Sequence, residues 1–378
     1  MRIGFITGEY PPMRGGIATF TRILGTELAR TGHQIYVLTS EDGQQQDDQI
    51  QVDTVKNWGW RISKHVNRWA DDNQLDIVNL HYQTAAFSMS PWIHFLPDLA
   101  QVPLVTTLHD LRFPYLFPKA GPLRDWIVRH LAERSDGRIF TNDEDQQTIG
   151  DLPRSQLIRI GSNIRTDIPT AESNTSIIDE RLRDAFVVGY FGFINHSKGL
   201  DDLIRALPLI HIDSTIKLLI IGERHGHSDP TNVQYAQEID DLIAEYDLED
   251  QIIFTGYLPE NDVAAYLQRC DLVTLPYRDG ASFRRGTLLA AIEQECVIIT
   301  TEPTVPISSI NENRFALVPP YRPDKIAEAI TKLANDPGER ESLQDSVRQL
   351  KAEFTWETIV QQTEDFFQDV IRWHLAQS

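Results

Sequence analysis

The chain has 378 residues, of which 41% are apolar, and a single hydrophobic core rarely serves a chain of this length. Its formal net charge of −20 argues against a protein that wraps nucleic acid, because neutralising phosphates requires a basic face. Two cysteines, Cys270 and Cys296, are too few for a disulfide framework, and both lie beside apolar, strand-like residues. Since there is no signal-peptide pattern and no apolar stretch of about 20 residues, we expect a cytoplasmic protein with two domains and reduced thiols.

Short apolar runs alternate with segments of helical period along both halves of the chain. Such alternation predicts parallel strands joined by crossover helices, which is an α/β fold with two doubly wound sheets. The predicted strands are 2–7, 34–40, 76–82, 103–109 and 137–142 in the first half, and 186–193, 215–222, 251–257, 271–277, 297–301 and 315–319 in the second. The polar character of 163–184 predicts a linker at 166–184 between a domain at 1–165 and a second domain at 185–355, and helical segments continue to the end of the chain.

Ligands of such sheets bind beyond the carboxyl ends of the strands, so the loop GEYPPMRGGIATF at residues 8–20 is the first candidate site. Gly15 and Gly16 have no side chains and precede a helix whose free N–H groups can meet an anion. A glycine pair before a helix is also a common tight turn, and the sequence does not decide between the two. The G-x-G-x-x-G pattern is absent here, which argues against a nicotinamide-binding domain.

Residues 55–70 form a basic patch in an acidic chain. They contain four cations and no acid, together with apolar side chains near helical spacing: Lys56, Arg61, Lys64 and Arg68, and Trp58, Ile62, Val66 and Trp69. A basic amphipathic helix can lie on an anionic membrane surface. Alternatively, the apolar side chains pack the helix on its own sheet and leave the charges in water.

His109 and Asp110 follow directly after a predicted buried strand. A histidine in this position can donate a hydrogen bond to a bound hydroxyl or stabilise a charged group. It can equally be satisfied by Asp110 and packed locally, so both interpretations remain open.

Two groups of residues resemble metal ligands. The acids DED at 143–145 are similar to a D-x-D motif, but acids that follow Asn142 are also favourable in the first turn of a helix. His225 and His227 lie in a polar, glycine-containing loop, which is a common setting for solvated histidines. We therefore expect no metal site.

Two predicted helices of the second half begin beside cations, which the positive end of the helix dipole repels unless an anion lies between them. Lys198 stands at the start of one helix, and Arg284 and Arg285 precede Gly286 and Thr287 at the start of another. The repetition favours a diphosphate ligand, because charge-assisted hydrogen bonds contribute about 1.5–3 kcal/mol each. The alternative is that both arginines point into water.

Six segments spread over nearly the whole chain carry a family resemblance: YPPMRGGIATF, GHQIYVLTS, TTLHD, SKGLDDLIRAL, FTGYLPENDVAAYLQRCDLVTLPY and FTWETIV. In their order and spacing they resemble the retaining glycosyltransferases of family four (glycosyl transferases group 1). The resemblance implies the GT-B fold, in which two Rossmann-like domains face each other across an interdomain cleft. It also implies an acceptor-side N-terminal domain, a C-terminal domain that binds the nucleotide sugar, and a helix at 356–378 that crosses back to the first domain.

The resemblance further implies ligand roles for individual residues. Gly15 and Gly16 would lie by the donor phosphate and the acceptor, His109 would contact the transferred sugar, Lys198 would hold the diphosphate, and the backbone around Thr255, Gly256 and Tyr257 would meet the nucleobase.

Two residues of the family pattern are missing. Phe193 occupies the usual position of an arginine that partners the lysine, and Ala290 occupies that of the second of two glutamates. We expect an insertion at 283–285 to bring the two guanidinium groups of Arg284 and Arg285 to the diphosphate in place of the missing arginine. Asp279 would then take the first glutamate's role and grip sugar hydroxyls.

The predicted function is transfer of a hexose from a nucleotide-diphosphate sugar, with UDP-glucose or a similar UDP-sugar favoured, to a hydroxyl acceptor with retention. No metal or other cofactor is required in this scheme, because cationic side chains neutralise the leaving diphosphate. The expected acceptor is a saccharide or lipid-linked saccharide in polysaccharide or glycolipid synthesis, with peripheral contact to the inner face of the membrane through 55–70 as an open alternative. A sugar-nucleotide epimerase and a non-catalytic sugar-nucleotide-binding protein are the competing functions.

Overall fold

A computed structural model describes residues 1–13, 15–45, 48–111, 122–165, 176–222 and 230–377. Residues 166–175 of the predicted linker, and His225 and His227, lie outside the described residues. The chain forms two compact units. Unit 1 consists of Met1–Gly161 and Thr355–Ser378, and unit 2 consists of Ser162–Phe354.

Unit 1 contains a parallel sheet with helices packed on it. Its strands are β1 (Arg2–Thr7), β2 (Gln34–Ser40), β3 (Ile50–Val55), β4 (Ile77–Tyr82), β5 (Leu104–Leu108), β6 (Gly137–Phe140) and β7 (Ser155–Leu157), and the helices between them are α1 (Gly16–Arg30), α2 (Ile62–Asp72), α3 (Leu96–Leu99), α4 (Pro122–Arg134) and α5 (Asp143–Ile149). The seven strands of the described residues have the order β3-β2-β1-β4-β5-β6-β7. The order reverses between β1 and β4, so the loops after these strands diverge and leave room for a ligand.

The five strands predicted for the first half are present, but β3 and β7 were missed. Both lie at an edge of the sheet and pair with one neighbour each. An edge strand is not covered on all sides, so it has no need of a continuous apolar run. In β3 only the terminal residues Ile50 and Val55 are buried, which explains why no apolar pattern marked it.

Unit 2 repeats the architecture. Its strands are β8 (Phe186–Phe191), β9 (Ile216–Ile221), β10 (Ile252–Phe254), β11 (Leu272–Leu275), β12 (Ile298–Thr301) and β13 (Ala316–Val318), and its helices are α6 (Ser176–Arg181), α7 (Leu200–Ala206), α8 (Pro230–Glu245), α9 (Glu260–Arg269), α10 (Gly286–Glu293), α11 (Pro323–Asn335) and α12 (Pro337–Lys351). The described strands have the order β10-β9-β8-β11-β12-β13, which reverses between β8 and β11. All six predicted strands are present, and the predicted α/β fold with two doubly wound, Rossmann-like domains is confirmed.

Helix α13 (Trp356–Leu375) belongs to unit 1, although the chain reaches it from unit 2. It packs against α1, where the rings of Phe20 and Trp356 lie 5.6 Å apart. It also approaches β6 closely, because a Cβ atom on Gly137 would lie 2.6 Å from Cγ2 of Val370. Glycine at this position therefore lets the helix lie directly on the strand.

The basic patch at 55–70 includes helix α2. Its apolar side chains Ile62, Val66 and Trp69 are buried in the core of unit 1 together with Trp58. The alternative that this face packs on its own sheet is thus confirmed. The four cations of the patch are exposed. Every helix within the described ranges is too short or too polar to cross a membrane.

Candidate functional site

The loop after β8 lies against the end of β11 at the switch point of unit 2. Asn195 Oδ1 accepts a hydrogen bond from the backbone N of Ser197 at 2.9 Å and orders a short helical turn at His196–Lys198. Gly199 then adopts φ of 68°, in the left-handed region that favours glycine. A Cβ atom there would collide with the carbonyl oxygen of Pro276. The turn that carries Lys198 is therefore held close to the end of β11.

Lys198 and Arg285 converge on one aromatic ring. Nζ of Lys198 lies 5.1 Å from the ring centroid of Tyr277, and the guanidinium carbon of Arg285 lies 4.9 Å from the same centroid. Arg285 is ion-paired with Asp279, and the hydroxyl groups of Tyr277 and Thr287 are 2.6 Å apart. We call Lys198, Tyr277, Asp279, Arg285 and Thr287 the cation cluster.

The electrostatics of the cation cluster favour an anionic ligand. Burial and the neighbouring positive charge of Arg285 together lower the pKa of Lys198 to about 8, and the carboxylate of Asp279 partly opposes this shift. Two cations held together with one carboxylate leave an excess positive charge. A diphosphate would neutralise this charge with charge-assisted hydrogen bonds.

The two adjacent arginines have different surroundings. The backbone N and the Nε of Arg284 both donate to Oγ of Ser282, each at 3.2 Å. Arg285 instead contacts Tyr277 and Asp279, and it is the N-cap of α10. Arg285 therefore lies beside Lys198 at the ring of Tyr277, and the expectation that both guanidinium groups meet a diphosphate remains a prediction.

Arg278 anchors the cation cluster, although it was not among the site residues predicted from the sequence. Its guanidinium group bridges Asp201 at 2.6 Å and Asp202 at 3.2 Å, and all three side chains are largely buried. Its backbone N donates to the carbonyl oxygen of Ser197 at 3.0 Å, beside Lys198. Arg278 thus ties the start of α7 and the lysine turn to the loop after β11.

The ends of β9 and β10 meet beside the end of β8. Gly222 forms an isolated bridge with Gly256, and its backbone N donates to Oγ1 of Thr255 at 3.2 Å. The next side chain, Tyr257, is 76% exposed, and Phe193 in the loop after β8 is 61% exposed. Both aromatic side chains are therefore available to a ligand, whereas the buried Ala290 offers no replacement for the missing acid.

The first loop of unit 1 brings a carboxylate to the start of α1. Gly15 is the N-cap of α1, and no side chain caps the helix there. A Cβ atom on Gly15 would collide with Oε2 of Glu9, so a larger residue at this position would require the Glu9 carboxylate to move. Burial raises the pKa of Glu9. Gly16 faces open space, since no described atom lies within 4 Å of its Cβ position.

His109 bonds to a second histidine. Its Nε2 lies 3.0 Å from Nδ1 of His81, and the two rings stack with centroids 5.3 Å apart. Burial lowers the pKa of His109 to about 3, and it lowers the pKa of His81 well below its usual value. Nothing in the sequence marked His81 as a site residue, because it lies within an apolar strand and not in a loop.

The acidic residues at 143–145 lie in the first turn of α5, as predicted. Asn142 caps this helix by accepting a hydrogen bond from the backbone N of Asp145 at 2.8 Å, and Asp143 is ion-paired with Arg159. Among the described residues, no group of three or more histidine, cysteine or acidic side chains could hold a metal ion.

Two parallel-sheet units with candidate residues at their switch points define a protein of the two-domain, Rossmann-like class. Residues 14–160 match the family model described as Glycosyltransferase Family 4, and residues 175–350 match the one described as Glycosyl transferases group 1. The chain belongs to this glycosyltransferase family, whose solved relatives have the GT-B fold.

Individual relatives are distant in sequence. The alpha-monoglucosyldiacylglycerol synthase of Streptococcus pneumoniae is 22% identical over 72% of this chain and 65% of its own length, so the chain spans just under two thirds of that relative. The D-inositol 3-phosphate glycosyltransferase of Corynebacterium diphtheriae is 22% identical over 100% of this chain and 96% of its own length. Alr3699/HepE of Anabaena, solved in complex with UDP, is 19% identical with a TM-score of 0.78 and covers 98% of this chain and 100% of that one.

Proposed function

We propose that the protein transfers a hexose from a nucleotide-diphosphate sugar, UDP-glucose or a similar UDP-sugar, to a hydroxyl acceptor with retention at the anomeric carbon. The observation that carries the proposal is the convergence of Lys198 and Arg285 on Tyr277 at a switch point. Ligands of doubly wound sheets bind at such points, and an anion with several oxygens suits two cations. The complexes of Alr3699/HepE with UDP and with UDP-glucose make a UDP-sugar the donor to test first.

The proposed step is attack on the face from which the diphosphate leaves. The bond between the anomeric carbon and the diphosphate oxygen breaks, a bond from the acceptor oxygen forms, and the acceptor's proton moves to the leaving diphosphate. Lys198 and Arg285 stabilise the charge that develops on the leaving group. Asp279 would bind sugar hydroxyls, and His109 would contact the transferred sugar.

The remaining predicted residues complete the proposed donor and acceptor contacts. The backbone around Thr255, Gly256 and Tyr257 would meet the base, the start of α10 at Gly286 and Thr287 would face the diphosphate, and Gly15 and Gly16 would lie by the phosphate and the acceptor. No side chain is assigned as a covalent nucleophile, and the scheme requires no metal. The acceptor would be a saccharide or a lipid-linked saccharide.

We expect the protein to release UDP from a UDP-sugar only when a suitable acceptor is present. A coupled UDP assay over a panel of UDP-sugars and saccharide or glycolipid acceptors measures this, and proton NMR of the product reports whether the anomeric configuration is retained. Release should be unchanged by EDTA, because the cation cluster replaces a metal.

Two outcomes would assign another function. A sugar-nucleotide epimerase would change the donor sugar without an acceptor, and a non-catalytic protein would bind UDP without releasing it from any donor. A product with inverted anomeric configuration would support the transferase function and contradict the proposed retention.

We also propose weak peripheral contact of the basic patch with anionic lipid. Because the apolar face of α2 is buried in the core, contact would depend on the exposed cations and on Trp60, which is 61% exposed under the guanidinium group of Arg61. We expect cosedimentation with anionic liposomes at low salt and its loss at physiological salt, since exposed charges are screened over about 8 Å there. Lys64→Glu combined with Arg68→Glu should abolish it, and binding that persists at high salt would contradict an electrostatic contact.

A further inference from the structure

His81 is a fully buried histidine in β4 that no part of the proposed reaction uses. Its Nδ1 lies 3.0 Å from Nε2 of His109. The rings of Phe5 and Phe20 enclose it, with centroids 5.0 Å and 5.7 Å from that of His81. Phe20 also contacts His109, at 5.1 Å. Aromatic side chains therefore pack around the pair of imidazoles.

Both rings are neutral, because burial lowers the pKa of His109 to about 3 and that of His81 well below its usual value. Two neutral imidazoles that share one hydrogen bond have two arrangements. Either His81 donates from Nδ1, or His109 donates from Nε2. The choice decides which nitrogen of His109 carries its proton.

The other nitrogen of His81 distinguishes the two arrangements. Nε2 of His81 is buried and has no hydrogen-bond partner among the described residues. If His109 donated, the proton of His81 would lie on this Nε2 as a buried N–H group without an acceptor. If His81 donates from Nδ1, its Nε2 carries only an unpaired lone pair. A buried N–H group without an acceptor is rarer than a buried acceptor without a donor, so the arrangement in which His81 donates is favoured.

We propose that His81 is a positioning residue that holds His109 with its proton on Nδ1, so that His109 donates a hydrogen bond to a hydroxyl of the transferred sugar and does not accept a proton. This inference rests on the proposed function for the role of His109 as a sugar contact. It also explains why the acceptor's proton leaves with the diphosphate, since Nε2 of His109 is occupied by His81.

Three variants test the inference. His81→Leu removes the donor to His109. His81→Asn keeps one, because its amide nitrogen lies near the position of Nδ1. His94→Asn is the matched control, because His94 is also buried in unit 1 and bonds to the hydroxyl of Tyr82 at 2.7 Å. Circular dichroism and thermal melting establish that each variant is folded.

The first measurement requires no activity. Nitrogen-15 NMR of histidine-labelled protein, with the His109 signals assigned by their loss in His109→Gln, reports which ring nitrogen carries the proton. We expect Nδ1 in the parent, in His81→Asn and in His94→Asn, and a mixture of tautomers in His81→Leu. A parent proton on Nε2, or an unchanged tautomer in His81→Leu, would overturn the proposal.

The second measurement is acceptor-dependent UDP release. His81→Leu should lower kcat by roughly tenfold, which corresponds to one hydrogen bond, and His81→Asn should restore most of the loss. UDP binding should be unchanged in both, because His81 lies in unit 1 and the cation cluster lies in unit 2. Equal losses of kcat in His81→Leu and His81→Asn would contradict the proposal, because they would show that His81 contributes only by packing. If the parent releases no UDP from any donor, the transferase proposal fails while the NMR result still decides the tautomer.

Discussion

Replacing Arg278 with leucine is expected to lower the free energy of unfolding by about 3–5 kcal/mol, because the change leaves two buried carboxylates without their counter-charge. Asp201 and Asp202 both bond to Arg278, and each side chain is at most 12% exposed. Burial already raises the pKa of Asp202, with the proximity of Asp201 adding to that effect against the opposing pull of Arg278. Urea unfolding of the full chain, followed by far-UV circular dichroism, measures the decrease in the free energy of unfolding.

The matched control is Arg348→Leu, which removes an exposed arginine that pairs with Glu295 and Asp345. Exposed pairs contribute about 0–1 kcal/mol, so this variant should unfold nearly as the parent does. Lowering the pH through the carboxylate range should narrow the gap between Arg278→Leu and the parent, because protonation neutralises the unpaired acids. Equal stability of the two arginine variants would show that the buried network contributes little.

Loss of Lys198 or Arg285 is expected to weaken UDP binding by about 10- to 150-fold, the equivalent of a charge-assisted hydrogen bond of about 1.5–3 kcal/mol. The expectation follows from their convergence on Tyr277. Arg284→Ala should have the smaller effect, because the Nε of Arg284 bonds to Ser282 instead. Isothermal titration calorimetry of Lys198→Met, Arg285→Ala and Arg284→Ala measures the three affinities.

Lys332→Met is the control for a general loss of charge, because Lys332 lies exposed on α11 and pairs with Glu339. Binding by the parent should also weaken as pH rises through about 8, where Lys198 loses its proton in the ligand-free protein. Lys198→Arg should remove this pH dependence, since arginine stays protonated. Parent-like affinity in both Lys198→Met and Arg285→Ala would place the diphosphate elsewhere and remove the basis of the proposed transfer.

The fold was predictable because its signals are local. Buried parallel strands need apolar side chains on both faces, so the interior strands β1, β4, β5, β8, β9, β11 and β12 appear as apolar runs. Edge strand β3 lacks that requirement and was missed. Lys198 and the paired arginines stand out in the sequence as candidate site residues because a cation beside a helix start is unfavourable without an anion, and this conflict is visible in a few consecutive residues.

The contacts that organise the candidate site could not be predicted from consecutive residues, because they join distant positions of the chain. Arg278 and Asp201 are 77 positions apart, and His81 and His109 are 28 apart. Whether such residues meet depends on strand order, since β8 lies beside β11 and β4 beside β5.

The sequence by itself determined the two doubly wound domains and the family, and it marked the cations that lie beside two helix starts. Only the tertiary structure decided that Lys198 and Arg285 approach the same ring, that of Tyr277, and that His109 bonds to another histidine. Periodicity and helix-dipole effects act over a few residues, whereas the partner of a buried polar side chain is chosen by which strands become neighbours when the sheet forms.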